Sequence, residues 1–240
     1  MLKKYFYSVC VISVITQNLL CMQSAATEKV DVRAVNENFA RNVNREIELK
    51  FSFTDEQREL LLSWLEEHAQ FQGTVTQEDR YFDRPEHSFF TKNEQGAFLA
   101  ESFLRVRFTP KGNYLCLKKW HKDPVTQEKT HCDEYESRVE NGEAMSFLLQ
   151  AEGYVLDTIV AKERTTYRID CFEVAVDTVQ GLGNFVEVEL KDFSGTVEEG
   201  IAAIKKFVKN CGIRICLQQK TGYILMLKNP QVNYGVMITL

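Results

Sequence analysis

Glu46-Ile47-Glu48-Leu49-Lys50, followed by Phe51, alternates strictly between charged and apolar residues. In an extended strand successive side chains point to opposite faces, so two carboxylates and one ammonium share one face while Ile47, Leu49 and Phe51 share the other. Like charges side by side on a sheet repel, at a cost of roughly 0.2–1 kcal/mol per pair. That cost disappears when the face is solvated or when a cation lies between the carboxylates. Taken alone, such a stretch is an ordinary wet strand face. It does not stand alone.

The same pattern recurs along the chain. Gln77, Asp79 and Tyr81 alternate within Thr74 to Asp83, Arg105 and Arg107 within Phe103 to Phe108, and Lys118 closes Tyr114-Leu-Cys-Leu-Lys118. Glu134 and Glu136 flank Tyr135, Lys162 and Arg164 flank Glu163, Asp177 ends Phe172-Glu-Val-Ala-Val-Asp177, and Glu187 and Glu189 alternate with Val186, Val188 and Leu190. Each segment reads as a strand with one polar and one apolar face. Together they supply enough strands to close a barrel.

Helical segments between strands can cover an apolar outside, leaving the charged face to line the lumen. That lumen would hold Lys50, Arg105, Arg107, Lys118, Lys162 and Arg164 against Glu46, Glu48, Glu134, Glu136, Asp177, Glu187 and Glu189. Isolated buried charges are costly, so such a lumen calls for ions or a polyanion to compensate it. Basic side chains suit phosphate oxygens; clustered carboxylates suit Mg²⁺ or Mn²⁺ bridging those oxygens.

The ordered set of Glu46-x-Glu48-x-Lys50, Arg105-x-Arg107, Lys118, Glu134-x-Glu136, Lys162-x-Arg164, Asp177 and Gly181-Leu-Gly-Asn-Phe-Val-Glu187-x-Glu189 resembles the CYTH superfamily, the triphosphate tunnel metalloenzymes. The resemblance runs from about Asn44 to Lys228. It is strongest toward the class IV adenylyl cyclase and thiamine triphosphatase-like branch, through Gln77-x-Asp79-x-Tyr81-Phe-Asp83, Lys162-Glu-Arg164-Thr-Thr-Tyr167, Gly181-Leu-Gly-Asn-Phe185 and Gly222-Tyr-Ile-Leu-Met-Leu227. It implies an α+β protein built on an eight-stranded antiparallel β-barrel tunnel that binds a triphosphate with divalent metal. Arg105, Arg107, Lys118, Lys162 and Arg164 would hold the phosphate chain. Glu46, Glu48, Glu134, Glu136, Asp177, Glu187 and Glu189 would position Mg²⁺ or Mn²⁺. Lys50 would contact a terminal phosphate or orient a water. Attack of a ribose 3′-hydroxyl on the α-phosphorus of ATP would give cyclic AMP and pyrophosphate. Attack of water would make the protein a triphosphatase acting on thiamine triphosphate, tripolyphosphate or a nucleoside triphosphate. A non-catalytic polyphosphate or nucleotide binder is a third reading, and no Ser-His-Asp or Cys-His arrangement argues for a covalent route.

Composition fits one such domain: 240 residues, 44% hydrophobic, four prolines and no low-complexity block. A net charge of −5, with bases interleaved among acids, gives no nucleic-acid footprint. A homodimer is compatible with the sequence. Lys3 and Lys4 precede an apolar run to Met22, and Ser24-Ala25-Ala26 offers a cleavage site, so residues 1–26 read as a signal peptide and 27–43 as a linker. The run is too short and too polar for a permanent span, which gives an exported protein, with cytoplasmic retention as the alternative. Beyond residue 26 the cysteines are Cys116, Cys132, Cys171, Cys211 and Cys216, an odd number without a C-x-x-C pair, so no disulfide framework is indicated. Cys116 and Cys132 share the parity of the charged positions and are expected as small lumen-lining residues.

Helices are expected over 55–69, opened by the capping box Thr54-x-x-Gln57, over 142–152, and from Thr196-x-x-Glu199 to Gly212. Gly181-Leu-Gly183 reads as a turn between strands. Residues 218–228 are expected as a short helix walling one tunnel mouth, with 229–240 as a tail.

Overall fold

The computed structural model of the chain describes residues 44–122 and 129–240; the expected signal peptide, the linker and the loop at 123–128 lie outside the described residues. In chain order the elements are β1 (Asn44–Ser52), α1 (Asp55–His68), β2 (Gln70–Asp83), β3 (Phe90–Lys92), β4 (Phe98–Ala100), β5 (Ser102–Thr109), β6 (Gly112–Lys122), β7 (Lys129–Val139) and α2 (Gly142–Ala151), and then β8 (Val155–Ile169), β9 (Phe172–Val179), β10 (Gly183–Leu190), α3 (Val197–Asn210), β11 (Ile215–Gln219), α4 (Tyr223–Lys228) and β12 (Gly235–Thr239).

Strands run β10-β9-β8-β2-β5-β6-β7-β1, and β1 pairs back onto β10. The result is the expected closed, antiparallel, eight-stranded barrel. Register makes the lumen. Lys50 stands opposite Glu187 and Glu48 opposite Glu189 across β1 and β10, while Lys118 stands opposite Glu134 across β6 and β7. A shift of one residue would turn every one of these charges outward. Gly181 and Gly183 make the β9–β10 turn at φ of +79° and +99°, a region closed to most side chains.

The outer face of β1, β9 and β10 carries the main core. Ile47, Leu49, Phe51, Val174, Val176, Val186 and Val188 pack against Leu61 and Leu65 of α1 and Ile204, Phe207 and Val208 of α3. Fully burying side chains of this size stabilises by about 1.5–3 kcal/mol each, the main force holding the helices on the barrel. Both helices begin with reciprocal caps. Thr54 Oγ1 accepts from the Gln57 amide at 3.2 Å and Gln57 Oε1 from the Thr54 amide at 3.1 Å; Thr196 and Glu199 repeat this at 3.2 and 2.8 Å. Gly200 lets α3 lie close to the sheet, because a Cβ there would stand 3.0 Å from Ile47 and 3.1 Å from Leu190.

The C-terminal region differs from expectation. Only Tyr223–Lys228 is helical; the first part of the expected helix is strand β11, which pairs with β1 over residues 50–52. β7 pairs with β1 only over residues 44–46, so the backbone groups of Lys50 to Ser52 on that side require another partner, and β11 supplies it. Within the segment read as a tail, β12 pairs with β11. Helix α4 fills one end of the barrel, where the inward face turns apolar. Its Tyr223, Ile224, Leu225 and Met226 pack with Tyr81, Phe103, Val160, Val179 and Phe185.

Candidate active site

A cavity of about 1230 Å³ occupies the lumen. Glu46, Glu48, Lys50, Arg105, Arg107, Lys118, Glu134, Glu136, Lys162, Arg164, Glu187 and Glu189 all line it, so strand parity brings together all but one of the residues singled out in the sequence. Asp177 is the exception. It is completely buried beneath Arg164 and Lys162 and does not line the cavity.

The basic side of the lumen rests on two buried carboxylates. Asp177 accepts a forked pair from Arg164, Nε at 2.7 Å and Nη2 at 2.6 Å, along with Lys162 Nζ at 3.2 Å and the Tyr223 hydroxyl at 2.8 Å. Asp79 does the same for Arg107, at 2.7 and 2.9 Å, and also takes Arg105 Nη1 at 3.2 Å. Burial alone would push the Asp79 carboxyl up, but Arg105 and Arg107 together override it and hold it well below the usual carboxylate range. Each fork leaves part of a guanidinium facing the lumen. Arg105 Nε is buried without a hydrogen-bond partner among the described residues.

Lys50 forms an ion pair with Glu187 at 2.8 Å and lies 3.8 Å over the Tyr223 ring; Lys162 lies 5.1 Å over the same ring. Glu187 also pairs with Arg164. Burial, with repulsion from Arg164, lowers the Lys162 ammonium to about 7 against the pull of Asp177. Burial raises the Glu187 carboxyl, but Arg164 and Lys50 prevail and keep it well below its ordinary value.

The acidic side gathers Glu46, Glu48, Glu134 and Glu189. Lys118 reaches into it, 2.5 Å from Glu46, 3.5 Å from Glu134 and 4.0 Å from Glu48. Even so, burial, helped by the neighbouring carboxylates Glu48 and Glu134, pushes Glu46 up to about 8. Burial also raises Glu189. Carboxylates pressed together until one holds a proton at neutral pH form an oxygen-rich donor set short of positive charge, and a hard divalent ion such as Mg²⁺ or Mn²⁺ fits it. Cys116 and Cys132 donate to Glu134 at 3.0 Å and Glu46 at 3.1 Å, but both are fully buried behind these carboxylates and, against expectation, do not line the cavity. Glu136 is exposed at the cavity edge.

Two residues of the site stand in the motifs quoted from the sequence but were given no role there. Asp79 carries the right parity, but nothing in the alternation distinguishes a carboxylate that faces ligand from one that supports arginines. Tyr223 belongs to α4, and its place in the lumen depends on a segment following the barrel.

A sequence profile of the CYTH domain matches residues 44–210. Among solved structures, the chain resembles the PH1012 protein of Pyrococcus horikoshii, at 25% identity and a TM-score of 0.56 over 70% of this chain and 91% of that one. The PH1819 protein of the same organism is 22% identical, with a TM-score of 0.61 over 77% and 99%. The Hippeastrum protein HpAC1, named for adenylyl cyclase and described by a dominant triphosphatase activity, is 18% identical, with a TM-score of 0.55 over 79% and 97%. No curated protein matches the chain in sequence.

Proposed function

Because the chain belongs to the CYTH family, whose members are metal-dependent and generally act on triphosphates, we propose that it binds an organic triphosphate in the lumen with Mg²⁺ or Mn²⁺ and cleaves the phosphate chain. The observation that carries this reading is one cavity with two opposite walls: guanidinium forks braced on Asp79 and Asp177, and the carboxylate cluster around Glu46. Arg105, Arg107, Arg164 and Lys162 take the phosphate oxygens, with Lys50 against a terminal one. Glu46, Glu48, Glu134 and Glu189 hold the metal, with Glu136 and Glu187 beside them. Asp177 acts through the cations it braces and not as a ligand, because those cations and Tyr223 occupy its oxygens. The ion, when bound, neutralises phosphate charge that builds up during transfer. The chain's own residues align the phosphates; no protein nucleophile is needed for phosphoryl or nucleotidyl transfer.

Phe89, Leu99 and Trp120 also line the cavity, and such apolar surface suits a base or another organic group over bare tripolyphosphate. That suits the class IV adenylyl cyclase-like reaction on ATP: the 3′-hydroxyl gives up its proton to solvent, its oxygen bonds to the α-phosphorus, the bond from the α-phosphorus to the bridging oxygen breaks, and pyrophosphate leaves. Hydrolysis is the second reading, supported by a cavity larger than the roughly 300–1,000 Å³ usual for small ligands, which leaves room for water. Incubating the protein with ATP, thiamine triphosphate and tripolyphosphate in Mg²⁺ or Mn²⁺, and separating products by chromatography, decides between them. Cyclic AMP with pyrophosphate supports the first, and released orthophosphate the second. Binding without turnover of all three would leave a polyphosphate or nucleotide binder.

A further inference from the structure

On the outside of the same barrel wall, the β6–β7 hairpin gathers two imidazoles and a carboxylate. His121 of β6 stands directly opposite His131 of β7, with Asp133 two residues further along β7. Their inward neighbours Trp120 and Glu134 line the lumen, so alternation turns these three away from it. His121 Nε2 lies 2.7 Å from Asp133 Oδ2. The two imidazole rings stack with centroids 4.6 Å apart and planes 7° from parallel. One ligand atom from each of the three residues lies within 4.8 Å of the others.

Two imidazoles beside a carboxylate are a donor set for a divalent transition ion. Zn–N and Zn–O bonds of about 2.0–2.2 Å place tetrahedral ligand atoms roughly 3.3 Å apart, so Asp133 would move back by about 0.6 Å and the rings would tilt together. The geometry points to a second metal site, on the barrel exterior, formed by His121, His131 and Asp133 and selective for a Zn²⁺-class ion. Nitrogen donors select Zn²⁺, Ni²⁺ or Cu²⁺, while the all-carboxylate side of the lumen selects Mg²⁺ or Mn²⁺, so the two sites sort ions by ligand chemistry. A bound ion would tie β6 to β7 beside the register shift between His121 and Lys122, where Trp120 and Lys122 border the cavity.

The test uses the full chain, stripped of metal by chelator and kept in millimolar Mg²⁺ so that the lumen carboxylates are not left to Zn²⁺. Zn²⁺ is titrated against a chromophoric competitor while the histidine side chains are followed by NMR. Binding of one Zn²⁺ should shift the His121 and His131 ring signals and leave those of His68 and His87 in place. His131→Ala should weaken Zn²⁺ binding at least about tenfold, whereas Glu46→Gln with Glu189→Gln should not. Saturating Zn²⁺ that leaves the His121 and His131 signals unmoved in the unaltered protein overturns the site, whatever the variants do. Unchanged affinity in the double variant His121→Ala with His131→Ala overturns it equally.

Discussion

Replacing Asp79 by Asn keeps the shape of the side chain and removes the charge that holds two arginines. Asp79 is 1% exposed and accepts the Arg107 fork and Arg105 Nη1. Removing one partner of a buried ion pair costs about 3–5 kcal/mol because the other is left uncompensated. Arg107 opens partly to the lumen, so the lower end applies, about 3 kcal/mol, or a fall in Tm of about 6–12 °C for a domain of this size. The pH dependence has a definite sign. A carboxyl held below its ordinary pKa stabilises the fold above that ordinary value and loses the contribution only as pH falls through the lowered one. The Tm gap between Asp79→Asn and the unaltered protein should therefore stay constant from pH 5 to 8. Tripolyphosphate should narrow the gap, since it replaces the missing negative charge and stabilises the variant more than the parent. Differential scanning fluorimetry across pH, with and without tripolyphosphate, measures all three effects. An unchanged or higher Tm would show that Asp79 does not brace the phosphate-facing arginines, and a gap that tripolyphosphate widens would show that the ligand does not replace the missing charge.

Chelation should abolish turnover, and Glu46→Gln or Glu189→Gln should lower kcat by at least about 10²-fold; full activity in excess chelator would sink the metal-dependent reading. Arg105→Ala and Arg164→Ala should each weaken tripolyphosphate binding by about 2–4 kcal/mol, read by calorimetry, and unchanged affinity in both would remove these arginines from the site. Because the Lys162 ammonium is lowered to about 7, the free protein loses that charge as pH rises through neutrality. Tripolyphosphate affinity should fall over the same range, and a Lys162→Met variant should lack that step; an identical pH profile in the variant would refute it. N-terminal sequencing of protein from its native host should give a start near Thr27, and an intact Met1 would overturn the export reading.

Strand parity alone placed twelve of the thirteen singled-out residues around one cavity, because side chains alternate along a paired strand and the register shifts of β2 and β6 lie away from these positions. The capped helices α1 and α3 were equally legible, since Thr54-x-x-Gln57 and Thr196-x-x-Glu199 are local signals satisfied by local atoms. What parity cannot supply is depth. Asp177 and Glu187 carry the same charge at inward positions, yet one lies under an arginine and the other beside it. That distinction is set by cross-strand register and by Tyr223, which arrives from outside the barrel. β11 escaped notice for a similar reason: its five residues are short for a pattern, and the vacancy on β1 that they fill exists only once β7 has paired.

Helix α4 gives the barrel an order of assembly. β1, the first strand made, must wait for β10 before the wall can close, a long-range pairing of the kind that slows folding. Even then, Tyr81, Phe103, Val160, Val179 and Phe185 would face water from within the wall until residues 223–228 emerge to cover them. A chain shortened to the span matched by the family profile, ending at Asn210, would have every barrel strand and still expose this apolar interior. It should associate with itself or with other nascent chains, because the segment that covers this surface is translated only after all eight barrel strands.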